Sequence, residues 1–275
     1  MDLKGKVVVV TGATSGLGQA FAVDVSKSGA KVFLIGRDEK RAQETKAQCA
    51  PDAEVIIGDV STRAGVHALA EKILAKTDKI DVLVNNAGGQ WKEQSKTADG
   101  IETTFAVNTV SAFLLEKQLH GALSKAKGRV VNLVTGFLNN FPVVPDQLVS
   151  PTQYKSLAIY GRAKHAGVMM TVEQAKRFAT DGVTAQALHP GIILGTRFGG
   201  GQPALMQAIA GPIMRGIGMA CTLDEAVRRF KVAAFDPIPN GSYVVNGKPT
   251  KLPKQSEDAA VRAKVMSILD GFASA

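Results

Sequence analysis

Short runs of apolar, mostly β-branched residues alternate with longer helical patterns along most of the chain. The first run, Val7–Val10, contains no polar residue, as expected for a strand buried on both faces of a sheet. Further strands are predicted at Lys31–Ile35, Glu54–Ile57, Val82–Val84, Arg129–Val134, Val183–Leu188 and Ser242–Val245. Regular βα alternation with right-handed crossovers predicts an α/β fold of the Rossmann type, with a doubly wound parallel sheet of seven strands.

The length of 275 residues fits one domain with a short appendage. We expect the domain to cover residues 1–246 and a C-terminal extension with a helical end to cover residues 247–275. Two long connections, Phe137–Leu157 and Thr196–Thr222, follow the predicted carboxyl ends of strands, where open α/β sheets bind ligands. The second is rich in apolar residues, so we interpret residues 196–222 as a substrate loop.

The composition excludes several classes of protein. The 33 basic residues outnumber the 24 acidic ones, but they are scattered, which favours a solvated basic surface over nucleic-acid binding. Cys49 and Cys221 have no CxxC or metal-ligand spacing, which excludes a disulfide framework and favours a reducing compartment, so we expect a cytoplasmic protein without a metal site. No apolar run approaches the length of a membrane-spanning helix, and we expect no integral membrane segment.

A glycine-rich turn follows the first predicted strand and precedes a predicted helix. Its G-xxx-G-x-G spacing allows backbone N–H groups to approach a pyrophosphate closely, and the helix N-terminus adds partial positive charge. Glycines alone would be a weak signal, because tight turns need them anyway. Their position in a βαβ unit nevertheless predicts a dinucleotide site formed by Gly12, Thr14, Ser15, Gly16, Leu17 and Gly18.

The end of the second predicted strand indicates which dinucleotide binds. An acidic residue there would hydrogen-bond a ribose 2′-hydroxyl, but this position is Gly36, and Arg37 follows it. A guanidinium pairs well with a phosphate, so NADP(H) is favoured over NAD(H). Two alternatives stay open: Arg37 only caps a surface turn, or Asp38 turns inward and permits NAD(H). At the end of the third strand, Asp59 and Val60 are candidates for contact with the adenine.

Six short motifs occur in a characteristic order. They are TGATSGLG from Thr11, GDV from Gly58, NNAG from Asn85, Asn108 within FAVNTVSAFLL, YGRAK from Tyr160 and HPG from His189. This set resembles the short-chain dehydrogenase/reductase family of the compact type. The segment AIYGRAKHAGVMMTVEQAKRF, followed by GVTAQALHPG, is similar to its retinol-dehydrogenase-like branch. The resemblance covers most of the chain and implies a homodimer or homotetramer, formed mostly through the helices that carry Asn108 and Tyr160.

The resemblance implies that Tyr160, Lys164, Thr135 and Asn108 are the catalytic residues. Tyr160 and Lys164 are four residues apart on one helix face, and a nearby ammonium is expected to lower the pKa of a phenol. Tyr160 then exchanges a proton with a carbonyl or alcohol oxygen, Lys164 also binds the nicotinamide ribose, and Asn108 holds a water. The family normally has a serine where this chain has Thr135, whose hydroxyl can still donate a hydrogen bond.

Further cofactor contacts follow from the same resemblance. Asn86, Ala87 and Gly88 are expected beside the adenine-side ribose. Pro190 and Gly191 are expected to turn the chain around the nicotinamide, with Ile193 near its carboxamide. Thr196 lies one residue later than the family's usual threonine and is a candidate contact.

These features together predict an NADP(H)-dependent carbonyl reductase or alcohol dehydrogenase that acts on an apolar or aromatic ketone, aldehyde or secondary alcohol. Phe137, Phe141 and Trp91 are candidate walls of its substrate pocket. The replacement of the family serine by Thr135 keeps one alternative open, an NADPH-binding sensor with little turnover. The net charge of +9 motivates a second alternative, a protein that associates with nucleic acid or membranes. A Ser-His-Asp hydrolase is improbable because no GxSxG turn follows a strand.

Overall fold

The computed structural model describes residues 1–193 and 220–274. Thr196 and most of the predicted substrate loop lie outside the described residues. The strands are β1 (Val7–Thr11), β2 (Lys31–Gly36), β3 (Glu54–Ile57), β4 (Val82–Asn85), β5 (Arg129–Leu133), β6 (Thr184–His189), β7 (Ile192–Ile193), β8 (Ala220–Cys221), β9 (Tyr243–Val245) and β10 (Lys248–Thr250). The α-helices are α1 (Gly16–Lys27), α2 (Glu39–Lys46), α3 (Arg63–Leu74), α4 (Thr103–Phe105), α5 (Ser111–Ala126), α6 (Ser156–Arg177), α7 (Leu223–Phe235) and α8 (Ala259–Ser274).

The central sheet has the strand order β10-β9-β6-β5-β4-β1-β2-β3. All of its pairs are parallel except β9 with β10, so the predicted α/β fold with a doubly wound parallel sheet is confirmed. The chain runs outward from β1 through β2 to β3 and then returns to place β4 on the other side of β1. The carboxyl ends of β1 and β4 therefore flank the point where the strand order reverses, which is where such sheets bind ligands.

The seven predicted parallel strands are all present, and β10 adds an eighth, antiparallel strand. It pairs with β9 through a two-residue turn made of Asn246 and Gly247, with φ angles of 52° and 79°. Positive φ at both positions is the geometry that an Asn-Gly hairpin turn favours. The predicted C-terminal extension therefore begins as a sheet strand before it becomes helical.

Apolar layers cover both faces of the sheet. Val7 and Val9 belong to the core cluster that includes residues of α3, α5, α6 and α8, whereas Val8 and Val10 belong to the cluster that includes residues of α1 and α7. This alternation along β1 explains why its sequence is continuously apolar, since successive side chains point to opposite faces. Within residues 1–193 and 220–274, no helix combines the length and apolarity needed to cross a bilayer.

The C-terminal helix α8 packs against α6. Val265, Met266 and Leu269 of α8 are buried in the larger core cluster. At the rim of this contact, Arg262 pairs with Glu173 of α6 at 2.6 Å, and Arg177 pairs with Asp270 at 2.7 Å. Residues 259–274 are thus an integrated layer of the fold.

Candidate active site

The glycine-rich turn connects β1 to α1 in the predicted position. Gly12 and Gly16 have φ angles of 66° and 56°, the left-handed region that favours glycine. Ser15 is the N-cap of α1, but its side chain makes no capping hydrogen bond, and Ser15 and Gly16 are exposed. The first N–H groups of a helix have no acceptor within the helix, so this end of α1 offers uncapped donors to an anion.

Asn86 fixes the shape of this turn from the neighbouring strand β4. Its Nδ2 donates hydrogen bonds to the carbonyl oxygens of Thr11 at 2.9 Å and Gly12 at 3.1 Å. In return, the Thr11 hydroxyl accepts from the backbone N–H groups of Asn86 and Ala87, each at 3.0 Å. A Cβ atom at Gly18 would collide with Asn86 Nδ2, which explains the third glycine. The side chain of Asn86 therefore holds the turn, a role that the sequence analysis missed.

The end of β2 cannot accept a side chain at position 36. A Cβ atom at Gly36 would collide with Cγ2 of Thr14, which packs against it. Arg37 follows and is exposed. Asp38 is the N-cap of α2, and its carboxylate accepts a hydrogen bond from the backbone N–H of Arg41 at 3.0 Å. The Nε atom of Arg41 lies 3.5 Å from the same carboxylate. Asp38 is thus held by α2, while Arg37 forms no ion pair with any acidic side chain of the described residues.

Asp59 and Val60 follow β3 at the same edge of the sheet. Asp59 is exposed, and its carboxylate accepts from the N–H of Ser61 at 2.9 Å. Val60 packs against the larger core cluster. The predicted adenine contacts of both residues stay predictions.

Thr135 and Tyr160 meet at the carboxyl end of β5. Thr135 lies two residues beyond this strand, and its side chain interacts with that of Tyr160, in the second turn of α6. The hydroxyl of Tyr243 donates to the backbone oxygen of Thr135 at 2.9 Å and so fixes the backbone that carries this threonine. Burial raises the pKa of the Tyr160 phenol, while the hydrogen bond with Thr135 acts in the opposite direction.

Lys164 lies one helical turn after Tyr160 and is also buried. Its Nζ donates to the backbone oxygen of Leu133 at 2.6 Å and lies 6.0 Å from the centre of the Tyr160 ring. Burial lowers the pKa of Lys164 to about 7. The expectation that this ammonium lowers the pKa of Tyr160 is therefore corrected, because loss of water dominates at both groups and Nζ is directed at Leu133.

Asn108 lies in a π-helical turn, Ala106–Val110, between α4 and α5. Its Nδ2 donates to the backbone oxygens of Gly89 and Thr104, each at 2.8 Å. A Cβ atom at Gly88 would lie 2.5 Å from Oδ1 of Asn108 and 3.2 Å from Nζ of Lys164. The structure thus brings Asn108, Gly88 and Lys164 together, and the π-helical turn is an irregularity between α4 and α5.

Comparison with known proteins decides the family. A sequence profile for the family described as short chain dehydrogenase matches residues 6–203. The chain belongs to this family. Its resemblance to the retinol-dehydrogenase-like branch is also confirmed, since it is 36% identical over 200 residues to mouse retinol dehydrogenase 12, covering 70% of this chain and 63% of that protein.

Two further relatives of this short-chain dehydrogenase match over nearly all of the chain. A candidate daunorubicin C-13 ketoreductase, DnrU, from Streptomyces sp. (strain C5) is 29% identical over 268 residues, covering 96% of this chain and 91% of that protein. A crystal structure of a protein from Mycobacterium paratuberculosis superposes with a TM-score of 0.78 at 23% identity, covering 99% of this chain and 95% of that one. The structural likeness shows that the two chains share one fold.

The turn after β6 of this short-chain dehydrogenase is held by a residue that the sequence analysis missed. Nη1 of Arg229, on α7, donates to the backbone oxygen of Pro190 at 2.7 Å and to Oδ1 of Asn246 at 2.9 Å. Gly191 has a φ angle of 109°, and a Cβ atom there would lie 2.5 Å from this same nitrogen. The sequence does not indicate this role for Arg229, because only the fold brings α7 beside Pro190. Ile193 lies in β7, which pairs with β8.

The candidate pocket walls are not equivalent. Phe137, two residues after Thr135, is 55% exposed and has a φ angle of 56°. In contrast, the ring of Phe141 packs over Gly161 of α6, where it would collide with any Cβ atom. Trp91 packs against Gly89, and its backbone oxygen accepts from the hydroxyl of Tyr154 at 2.8 Å. Only Phe137 of these three presents most of its surface to solvent.

Proposed function

We propose that this short-chain dehydrogenase is an NADP(H)-dependent carbonyl reductase or alcohol dehydrogenase. One observation carries the proposal: Thr135 and Tyr160, whose side chains interact, lie with Lys164 at the carboxyl edge of the sheet that also carries the uncapped turn before α1. This edge is where a dinucleotide and a substrate would meet.

The proposed proton donor in reduction is Tyr160. Burial raises the pKa of its phenol, so the group carries near neutral pH the proton that reduction of a carbonyl needs, and the contact with Thr135 opposes this rise and so favours the transfer. The Thr135 hydroxyl, which lies close to Tyr160, can donate to the same oxygen and stabilise the charge that develops there. The nicotinamide supplies or accepts the hydride when it is bound. In the oxidative direction, Tyr160 must first lose its own proton, and the resulting phenolate then receives the proton that the alcohol loses.

The remaining site residues are proposed to bind and orient the cofactor. Lys164 and Asn108 would hold the nicotinamide ribose and a water, the turn before α1 would hold the pyrophosphate, and Asn86–Gly88 and Pro190–Ile193 would contact the two riboses and the nicotinamide. The uncapped N–H groups of α1 fit an anionic group, which supports this arrangement.

The preference for NADP(H) rests on the end of β2. Thr14 fills the space that a side chain at Gly36 would need, so no carboxylate can be placed there to bind a ribose 2′-hydroxyl. Asp38 is held by Arg41, whereas Arg37 is exposed and forms no ion pair with the described acidic side chains. A free guanidinium at this position would pair with a 2′-phosphate.

The proposed substrates are apolar or aromatic ketones and aldehydes, or the corresponding secondary alcohols. The exposed ring of Phe137 beside Thr135 supports an apolar substrate. The names of two relatives, a retinol dehydrogenase and a candidate ketoreductase, are consistent with this class. Since the chain spans about 63% of the length of retinol dehydrogenase 12, the activity of that whole protein reaches this chain only as part of the proposal.

The deciding experiment measures NADPH oxidation by the purified protein with a panel of aliphatic, aromatic and polar ketones. Turnover that favours the apolar members supports the proposal. Tight NADPH binding without turnover on any member would instead support the sensor alternative that Thr135 motivates. NADH is the matched control for cofactor preference.

A cytoplasmic homodimer or homotetramer is part of the proposal. Because α8 covers part of α6, an interface through the helices that carry Asn108 and Tyr160 would have to include α8. Light scattering of the full chain measures the oligomeric state.

A further inference from the structure

The C-terminal extension forms hydrogen bonds with the connection between β5 and α6, which joins Thr135 to the helix that carries Tyr160. This connection, residues 134–155, begins with Thr135 beyond β5 and ends at α6, which carries Tyr160. It forms two short 3-10 turns, Leu138–Asn140 and Pro145–Gln147. We use the term C-terminal clamp for Lys254, Gln255 and Ser256, which belong to the 3-10 turn that precedes α8.

Gln255 binds the connection between its two turns. The side-chain oxygen of Gln255 accepts from the N–H of Val143 at 2.7 Å, and its Nε2 donates to the Val143 backbone oxygen at 2.9 Å. One amide group thus satisfies both backbone groups of a residue that is itself buried, as a neighbouring strand would. The backbone N–H of Lys254 adds a third bond, to Oδ1 of Asn139 at 2.8 Å.

His165 joins the clamp to the catalytic helix. This residue directly follows Lys164 and is fully buried. Its Nδ1 lies 2.9 Å from the backbone oxygen of Phe141. Its Nε2 lies 3.0 Å from Oγ of Ser256. A carbonyl oxygen can only accept, so Nδ1 carries the proton and Nε2 accepts from Ser256. One imidazole therefore connects α6, the connection and the clamp.

Arg262 of α8 connects the clamp to α6. Its Nη1 donates to the backbone oxygen of Ser256 at 2.6 Å, and its Nε donates to Glu173 of α6 at 2.6 Å. Leu252, just before the clamp, packs in the small apolar cluster that also contains Leu138 of the connection and Tyr243, the residue that holds Thr135. The clamp is therefore rigidly seated on the same elements that position the catalytic groups.

We infer that Gln255 is a positioning residue that holds the β5–α6 connection in place and thereby sets the affinity for the carbonyl substrate. The inference rests on the proposed function for its substrate. Both side-chain hydrogen bonds of Gln255 go to the backbone of Val143, eight residues beyond Thr135 in the connection. Its loss is expected to loosen residues 137–148 while the catalytic pair and the dinucleotide turn keep their own bonds.

The test compares the full-length wild-type protein with Gln255→Met, which keeps the length of the side chain but cannot form either hydrogen bond. Amide hydrogen exchange of residues 137–148 should become about 10-fold faster, since two hydrogen bonds to buried backbone groups are lost. The KM for an apolar ketone should rise about 5- to 10-fold, while kcat and the Kd for NADPH stay within about 2-fold. Lys264→Met, an exposed position on α8, is the control and should change none of these values.

A second variant keeps the test decisive if Gln255→Met folds poorly. Asn139 is exposed, so Asn139→Ala should fold, and it should raise the exchange rate and KM in the same direction by about 2- to 5-fold. Faster exchange with an unchanged KM, or a parallel rise in the Kd for NADPH, would overturn the inference. If the wild-type protein reduces no ketone, the proposed function fails and the affinity claim fails with it, while the exchange rates still decide whether Gln255 holds the connection.

Discussion

The side chains of Thr135 and Tyr160 interact across the gap between β5 and α6, and this contact opposes the rise that burial causes in the pKa of the phenol. Tyr243 holds the backbone of Thr135 from β9, so the pair has a defined position before any substrate arrives. We therefore propose that both hydroxyls point at one substrate oxygen and that the threonine replaces the serine that the family usually has at this place.

The first prediction concerns the hydroxyl of Thr135. Thr135→Val keeps the shape of the side chain but removes the donor, and we expect kcat for ketone reduction to fall about 100- to 1,000-fold. Thr135→Ser keeps the donor and removes only a methyl group, so its kcat should stay within about 10-fold of the wild-type value. Steady-state NADPH oxidation measures both variants. A Val variant as active as the Ser variant would show that this hydroxyl takes no part in the reaction.

Tyr160→Phe removes the proton donor and leaves the ring in place. We expect reduction to fall by at least about 100-fold, the lower end of what a general acid contributes. The affinity for NADPH, followed by titration of cofactor fluorescence, should change by less than about 3-fold, because Lys164 and the turn before α1, which are proposed to hold the cofactor, are unchanged. Substantial turnover in this variant would refute the proposed mechanism.

Arg37→Asp places a carboxylate where the proposed 2′-phosphate would lie. The ratio of kcat/KM for NADPH to that for NADH should fall about 100-fold, because a charge-assisted bond is lost and repulsion is added. Lys40→Asp is the matched control, since it reverses a charge on the exposed face of the adjacent helix α2. If the kcat/KM ratio falls equally in the two variants, the effect comes from the local electrostatic field and not from a direct contact of Arg37. If the ratio is unchanged in Arg37→Asp, this residue does not have its proposed role.

The sequence predicted the parallel strands because each is an apolar run with a clear boundary. β1 is the clearest case, since both faces of its residues are buried. The strand β10 escaped prediction because Lys248–Thr250 is exposed and contains a proline, although the Asn246-Gly247 pair before it is a strong hairpin signal. The π-helical turn around Asn108 could not be predicted from the helical periodicity of apolar residues. All five residues of this turn and most of the first residues of α5 are buried, so one extra residue does not change the apolar pattern.

The sequence indicated the chemical groups of the candidate site more readily than their supports. Tyr160, Lys164 and Thr135 belong to recognisable motifs, whereas Tyr243, Arg229 and Gln255 act through bonds to backbone atoms that are distant in the chain. Such bonds depend on the closed fold and not on local spacing. The same limit explains the pKa of Tyr160: spacing predicted the approach of Lys164, but burial, which spacing does not reveal, determines the direction of the shift.

A buried polar cluster below the site has consequences for stability. Glu116 of α5 is fully buried, and its Oε1 accepts from Nδ2 of Asn85 at 3.1 Å. The same nitrogen donates to Oδ1 of Asn132 at 2.8 Å, and Nδ2 of Asn132 donates to Oγ1 of Thr171 at 3.0 Å. Burial raises the pKa of Glu116 to about 7, and the hydrogen bonds with Asn132, Gln174 and Asn85 act in the opposite direction. The carboxyl group is thus neutral in the folded protein at mildly acidic pH.

This raised pKa predicts that Glu116 stabilises the fold less as the pH rises. The folded state keeps the proton up to about pH 7, whereas the unfolded chain releases it near pH 4.5, the ordinary pKa of a glutamate side chain. The contribution is therefore complete below about pH 4.5, declines between about 4.5 and 7, and stays lost above that range, on the order of 3 kcal/mol in all. Glu116→Gln resembles the neutral acid and lacks this dependence. Urea unfolding of both proteins at several pH values measures this effect. The two proteins are compared at the same pH, so the contributions of other titrating groups such as His189 cancel. The free energy of unfolding of the wild type should fall relative to that of the variant across this window. Two parallel pH profiles would mean that Glu116 has an ordinary pKa and that the cluster is reached by water.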